Sequence, residues 1–232
     1  MIRRTSLLAV LVCVAAPVAT LRADDTMWLA GGEGSDADFY TYTGLVVPGP
    51  GRKDGRGWFQ RYWIDRFGYE YQSGPELIEA RVWGGEAALG YGAPTANGWR
   101  SISFGLRYTD TELSPDDRDA SARGEQYSAK IQLEGETEFS PGWRMGAIGS
   151  YTFAQEQYWG RVRLTRRVAE DWSVGTEAVA NGNEEAQSVA AGLLLTLQPT
   201  GAPWSVGLKA GYRDQEDSDD GAYGGLELSR TF

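Results

Sequence analysis

The sequence contains no histidine and a single cysteine, Cys13. The missing histidine removes the commonest general base and the commonest metal ligand together. Cys13 lies in an apolar run near the start of the chain, with no small residue before it, so it does not read as a lipoprotein signal. Beyond residue 23 there is no cysteine, hence no disulfide and no thiol chemistry. Ser–His and Cys–His catalytic arrangements are therefore excluded. Long apolar runs are also missing. Past the leader none approaches the roughly 20 residues that a membrane helix needs. If the mature chain sits in a membrane, it crosses it as a closed barrel.

The leader itself has the layout of a secretory signal. Arg3 and Arg4 form a positive start, Leu7 to Ala19 an apolar stretch, and Ala23 closes a small-residue cleavage site, with Ala19 the alternative. The expected organisation is a signal peptide over residues 1–23 and one barrel over residues 24–232. Cleavage removes Arg3, Arg4 and Arg22 from the 22 basic residues and none of the 32 acids, which leaves a net charge of −13. Such a balance argues against nucleic acid and anionic membrane surfaces as partners. No cofactor is called for.

What is present is aromatic, glycine-rich and alternating, with nine tryptophans, twelve tyrosines and 31 glycines. In Tyr158–Arg167, Gly160, Val162 and Leu164 share one parity, while Trp159, Arg161, Arg163 and Thr165 share the other. Period two means a strand with two environments. Similar segments predict strands at 26–33, 37–47, 57–71, 77–91, 99–110, 124–138, 142–154, 157–168, 172–181, 186–197, 204–214 and 221–232. The fold class expected is all-β, an antiparallel up-and-down transmembrane barrel of twelve strands with both ends in the periplasm. Within 99–110, 124–138 and 204–214 the apolar parity carries no charge between Ile102 and Tyr108, Tyr127 and Leu133, and Trp204 and Tyr212, as a lipid face requires. Segments 57–71 and 77–91 alternate poorly, because Arg61, Asp65 and Arg66 fall on both parities; a bulge or a wet strand end is expected there.

Tryptophan position is an independent check. Trp28, Trp58, Trp99, Trp143, Trp172 and Trp204 each lie at or beside the start of an odd-numbered strand, so all six fall at one rim, where amphipathic rings gather at a membrane–water interface. Turns on that side are rich in proline or glycine. Those on the other side are acidic, and the longest, Thr111 to Arg123, is among them. Phe232, with Leu228 and Leu226 on its parity, is similar to the sorting strand of outer-membrane proteins, from which Arg230 departs.

Several longer stretches carry a family resemblance. They are Leu113-Ser114-Pro115-Asp116-Asp117 leading through Arg123-Gly124 to Ala129-Lys130; Ser150-Tyr151-Thr152 to Tyr158-Trp159 with Arg161-Val162-Arg163-Leu164; Gly175-Thr176-Glu177-Ala178; Asn181-Gly182-Asn183-Glu184; and Gly221-Ala222-Tyr223-Gly224. Together they resemble the BcsS family of exported cellulose-biosynthesis proteins over nearly the whole mature chain. Gly175-Thr176-Glu177 departs from the Gly-Pro-Glu expected. The resemblance implies an outer-membrane barrel working with a cellulose synthase system, and it supplies no catalytic residue.

The candidate site is the set of polar-parity residues Trp159, Arg161, Arg163, Lys130, Arg107 and Lys209, with Glu134, Glu177 and Glu227 as opposite charges. These either line a hydrated path for a glucan chain or lock together as a plug, since twelve strands fall between barrels filled by side chains and barrels with a channel. Lipid, lipopolysaccharide, a cellulose or other glucan chain and the cellulose synthase complex are the expected partners. The acidic outer loops read as solvated surface, with cation bridging to polysaccharide as the alternative. A non-enzymatic accessory of cellulose secretion is the functional expectation. Its rivals are an anionic-oligosaccharide or small-solute channel, a closed structural barrel, and a glycan-cleaving carboxylate pair formed by Glu134 and Glu177.

Overall fold

A computed structural model describes residues 26–35, 38–154, 156–183, 186–215 and 220–232. The expected leader, with Cys13, lies outside them, as do parts of three acidic outer loops. Twelve antiparallel strands close into one barrel, each paired with its sequence neighbours, and the last with the first. They are β1 (Met27–Gly34), β2 (Phe39–Pro48), β3 (Gly57–Ser73), β4 (Glu76–Thr95), β5 (Gly98–Ser114), β6 (Gly124–Ser140), β7 (Trp143–Thr152), β8 (Gln157–Arg167), β9 (Trp172–Gly182), β10 (Gln187–Leu197), β11 (Trp204–Gln215) and β12 (Gly221–Thr231). All twelve expected strands are present. The division between the first two falls between Gly34 and Phe39.

Closure leaves every strand paired on both edges, which is what a spanning β-structure needs where no water can satisfy the backbone. The outer surface is apolar. Leu106 and Leu193 are 72% and 69% exposed, and Ile64, Leu89, Phe104, Leu133, Val162 and Leu208 are exposed with them. In water such a belt would be an aggregation surface; around a barrel it is the lipid face. The protein is an outer-membrane barrel.

All six tryptophans stand at the start of odd-numbered strands on one rim. Five have the outward parity. Trp99 does not: it pairs with Pro94 and Glu136, on the lumen side of its strand. Arg230 has the outward parity and pairs with both Trp28 and Trp204, its guanidinium 4.7 Å from the Phe232 ring centroid. A cation at this height lies among rings and headgroups rather than in hydrocarbon, which explains the departure from an all-apolar terminal strand.

Strands β3 and β4 correct the expectation of a bulge. They pair residue for residue from Gly57 with Gly92 to Ser73 with Glu76. Arg61 and Asp65 share the lumen parity and are buried. Only Arg66 points outward, its charge placed over the Trp83 and Phe39 rings at 5.2 and 5.7 Å. The irregularity lies elsewhere, between Glu138 and Ser140 of β6. Burial in β4 alternates strictly from Ile78 to Gly92, although its chemistry does not.

The wall is uneven in height. Strands β3 to β6 run for 17 to 20 residues, whereas β7 to β10 run for 10 or 11. The tall side reaches across the outer mouth. Tyr71, Ile78 and Ala80 form a buried apolar cluster against Tyr69, Leu113, Ala120 and Ala186. Ala186 belongs to the β9–β10 loop on the opposite wall, and Asn183 of the same loop donates to the Tyr69 hydroxyl at 3.5 Å. The β5–β6 loop is tied in by the Tyr71 hydroxyl, which donates to Asp117 at 3.1 Å. At the other rim, Arg52 of the β2–β3 loop lies over the lumen-facing Phe59 ring at 5.2 Å.

Candidate lumen site

Alternation turns the polar parity of each strand into the lumen, and the lumen charges gather into two patches. The first lies on β3 to β6. Glu86 takes a hydrogen bond from Arg61 Nε at 3.0 Å and one from Lys130 Nζ at 2.7 Å. Beside it, Arg107 grips Asp65 with both terminal nitrogens at 2.9 Å. Buried charges persist only when paired, and a two-pronged guanidinium–carboxylate fit is the strongest such pairing. Space for it comes from Gly84, where a Cβ would lie 2.6 Å from Arg107 Nη2.

The second patch spans β8, β9, β11, β12 and β1. Arg163 donates from Nη1 to Glu227 at 2.7 Å and from Nε to Glu177 at 3.0 Å. Arg161 donates to Glu227 at 3.1 Å and stacks over Trp159 at 5.5 Å. Lys209 is bonded to Glu33 and lies 3.3 Å from Glu227 and 3.6 Å from Glu177. Arg213 holds Glu33 and Asp38 and stacks over Tyr223 at 5.2 Å. Tyr223 in turn donates to Glu177 at 3.0 Å. Arg161, Arg163, Lys209 and Arg213 thus face Glu33, Asp38, Glu177 and Glu227 as a neutral network.

These geometries place the expected residues. Trp159, Arg161, Arg163, Lys209 and Glu177 come together in the second patch, Lys130 and Arg107 in the first. Glu134 belongs to neither and accepts a bond from Ser101 at 3.1 Å. The carboxylates of Glu134 and Glu177 have separate partners and form no pair.

A third feature was not anticipated. Six lumen-parity rings of β2 and β3 make a continuous ladder, Trp63, Tyr42, Tyr40, Phe67, Tyr69 and Tyr71. Trp63 and Tyr42 stack at 4.7 Å and 13°, and Tyr42 and Tyr40 follow at 5.5 Å. Tyr40 to Phe67, Phe67 to Tyr69 and Tyr69 to Tyr71 follow at 6.4, 6.2 and 6.1 Å. Glycine makes the room: a Cβ at Gly31 would touch the Tyr42 ring at 2.8 Å, and one at Gly44 would fall inside Trp63. The sequence signal was the period-two run Tyr40-x-Tyr42 and Phe67-x-Tyr69-x-Tyr71. It is easily mistaken for a lipid face, because rings serve either side of a barrel wall.

The family model described as cellulose biosynthesis protein BcsS matches residues 29–232. No curated protein matches the chain in sequence. Among solved structures it is similar to the KdgM porin, with a TM-score of 0.52 and 10% identity over 89% of this chain and 99% of that one. The beta domain of the Bordetella autotransporter BrkA matches with a TM-score of 0.52 and 13% identity, covering 90% of this chain and 100% of the other. The translocator domain of autotransporter NalP from Neisseria meningitidis matches with a TM-score of 0.52 and 11% identity, over 91% and 90%. At such identities the likeness is one of fold.

Proposed function

The chain belongs to the BcsS family of cellulose biosynthesis proteins, and from that premise we propose that it assists cellulose secretion at the outer membrane without catalysing a reaction. The observation that carries this reading is the state of the lumen carboxylates. Asp65, Glu86, Glu177 and Glu227 are each tied to one or more cations. A general acid or nucleophile needs a carboxyl group free to exchange a proton or attack. Glu134 has no ion pair among the described residues, but a hydrolytic pair needs two carboxyl groups flanking one bond, and Glu134 and Glu177 are engaged separately. Histidine and mature-chain cysteine are absent from the sequence.

Deletion in the native host tests the reading. Secreted cellulose falls, periplasmic glucan rises, and expression from a plasmid restores both. Unchanged secretion in the deletion strain overturns it. So does turnover of cello-oligosaccharides by the purified protein that is lost in Glu134→Gln or Glu177→Gln.

The closed-lumen alternative is favoured by one observation, the span of the second charge patch from β8 to β12 beneath a covered outer mouth. It predicts no unitary current in planar bilayers for the unmodified protein. An open channel gives steady current that soluble glucans block.

A further inference from the structure

We propose that the ring ladder of β2 and β3 is a binding surface for a neutral glucan chain, taking the role first expected of the lumen charges. The inference rests on the proposed secretory function and names the site at which the polymer is held. Pyranose rings present apolar C–H faces, which pack on an uncharged aromatic strip; here the aromatic rings stack on one another, so the strip offers their lumen-side margins as one continuous surface. Here Tyr40, Tyr42, Trp63, Phe67 and Tyr69 are half-buried on the lumen side of one wall. Centroid steps of 4.7 to 6.4 Å leave no gap between them. A ladder of rings holds a chain without fixing its register, because each ring offers the same kind of contact.

Charge distribution decides between a neutral and an acidic polymer. The ladder carries no charge. Cations of the second patch are matched by carboxylates, and Asp65 beside the ladder is committed to Arg107. The first patch sets Arg61, Arg107 and Lys130 against Asp65 and Glu86, with Glu134 on the same face of β6 as Lys130, so an anionic chain would meet acidic outer loops and no surplus cationic wall. Hydroxyl groups would meet the ladder's own phenols, Tyr40, Tyr42 and Tyr69, while Arg61 and Arg107 are enclosed in the wall behind it. Arg61 is two residues from Trp63 on the same face, and the Arg107–Asp65 pair is set between Trp63 and Phe67.

The ladder also ends where a path would be expected to end. Its last two rings, Tyr69 and Tyr71, are the residues that Asn183, Asp117 and Ala186 cover at the outer mouth. A chain lying on the ladder would reach the cover from below.

Calorimetric titration of the detergent-solubilised mature protein with cellohexaose, cellotriose and a hexa-galacturonate provides the test. The expected result is binding of cellohexaose that weakens on shortening to cellotriose, with the acidic oligomer weaker than either. Combined Tyr42→Ala and Trp63→Ala substitution weakens cellohexaose binding about tenfold or more, while Leu208→Ala, on the outward face of β11, leaves it within about twofold. Trp63→Phe restores most of the loss. Heat-modifiable gel migration identifies folded variants; should the double variant not fold, Tyr42→Leu with Trp63→Leu keeps the bulk and removes the aromatic faces. Undiminished binding in a folded ladder variant overturns the proposal, as does tighter binding of hexa-galacturonate. The host assay separates the two readings. A ladder variant that restores secretion fully leaves the secretory role standing and the ladder refuted, whereas unaltered secretion on deletion removes the role itself.

Discussion

Arg163 of β8 and Glu227 of β12 stand four strands apart around the barrel, yet their side chains meet in the lumen through two hydrogen bonds of 2.7 and 2.6 Å. With Glu177 as a second partner of Arg163, the pair braces the barrel from within. Each side chain is about 20% exposed, so removing one leaves its partner's charge largely desolvated. Arg163→Ala therefore destabilises the barrel by about 3 kcal/mol, read as a lower temperature for loss of heat-modifiable migration. Glu227→Gln costs less, because the amide oxygen still accepts from Arg163. Combined Arg161→Ala and Arg163→Ala also raises single-channel conductance, as two of the side chains that cross the lumen are shortened.

Gly84 gives a test on the other wall. Its missing side chain is what lets Asp65 and Arg107 meet against β4. Gly84→Ala forces that buried pair apart or bends the wall, and overpacking of this kind costs about 1–3 kcal/mol. Gly85→Ala, one residue on and facing outward with open space, leaves stability unchanged. The two variants compared by urea unfolding in detergent separate crowding from any general effect of glycine loss in a strand.

Strand number, rim and lumen parity were legible because each depends on local pattern. Turn residues punctuate the chain, and a charge at 107, 130, 161, 163 or 209 can only point away from lipid. The partners were less legible. Lys209 and Arg213 are joined to Glu33 by closure of β12 on β1, a contact across about the whole chain that no local pattern encodes. Segment 77–91 misled for a physical reason. The tall wall ends above the lumen, where Ile78 and Ala80 face inward into a mouth cluster and Val82 is buried on the same face, so its inner parity is charged or small at one end and apolar at the other. Position on the barrel, more than polarity, sets the face there. The ladder is illegible from pattern by the same logic, since tyrosine and tryptophan fit lipid, rim and lumen alike.

The apolar belt predicts where a charge is not tolerated. Leu193 lies midway along β10, outward and 69% exposed. Leu193→Arg costs about 2–4 kcal/mol if it sits at mid-bilayer and reduces the fraction recovered folded from the outer membrane. Glu79→Arg, near the outer end of β4, is tolerated, because that side chain already carries charge and sits above the hydrocarbon. Equal recovery of the two variants would contradict the height assigned to the belt.

Asp117 holds the long β5–β6 loop to the tall wall, and its chemistry makes that hold dependent on acidity. Hydrogen bonds from Ser73, from the backbone N–H of Asp119 and from the Tyr71 hydroxyl favour its charged form and bring its pKa below the ordinary aspartate value. A depressed folded-state value means the tie is fully present above the pKa of the free side chain and is lost as pH falls through the folded one. Between pH 6 and 8 the loop is accordingly held throughout, and it loosens only in strong acid. Asp117→Asn removes the charge at every pH while keeping the shape. In this variant the loop between Pro115 and Arg123 is cut faster by trypsin at Arg118 or Arg123, with the barrel itself still heat-modifiable. If the cover at the outer mouth depends on this tie, the same variant passes ions more readily than the unmodified protein, whereas loop cleavage without added conductance assigns the closure to the lumen charges beneath.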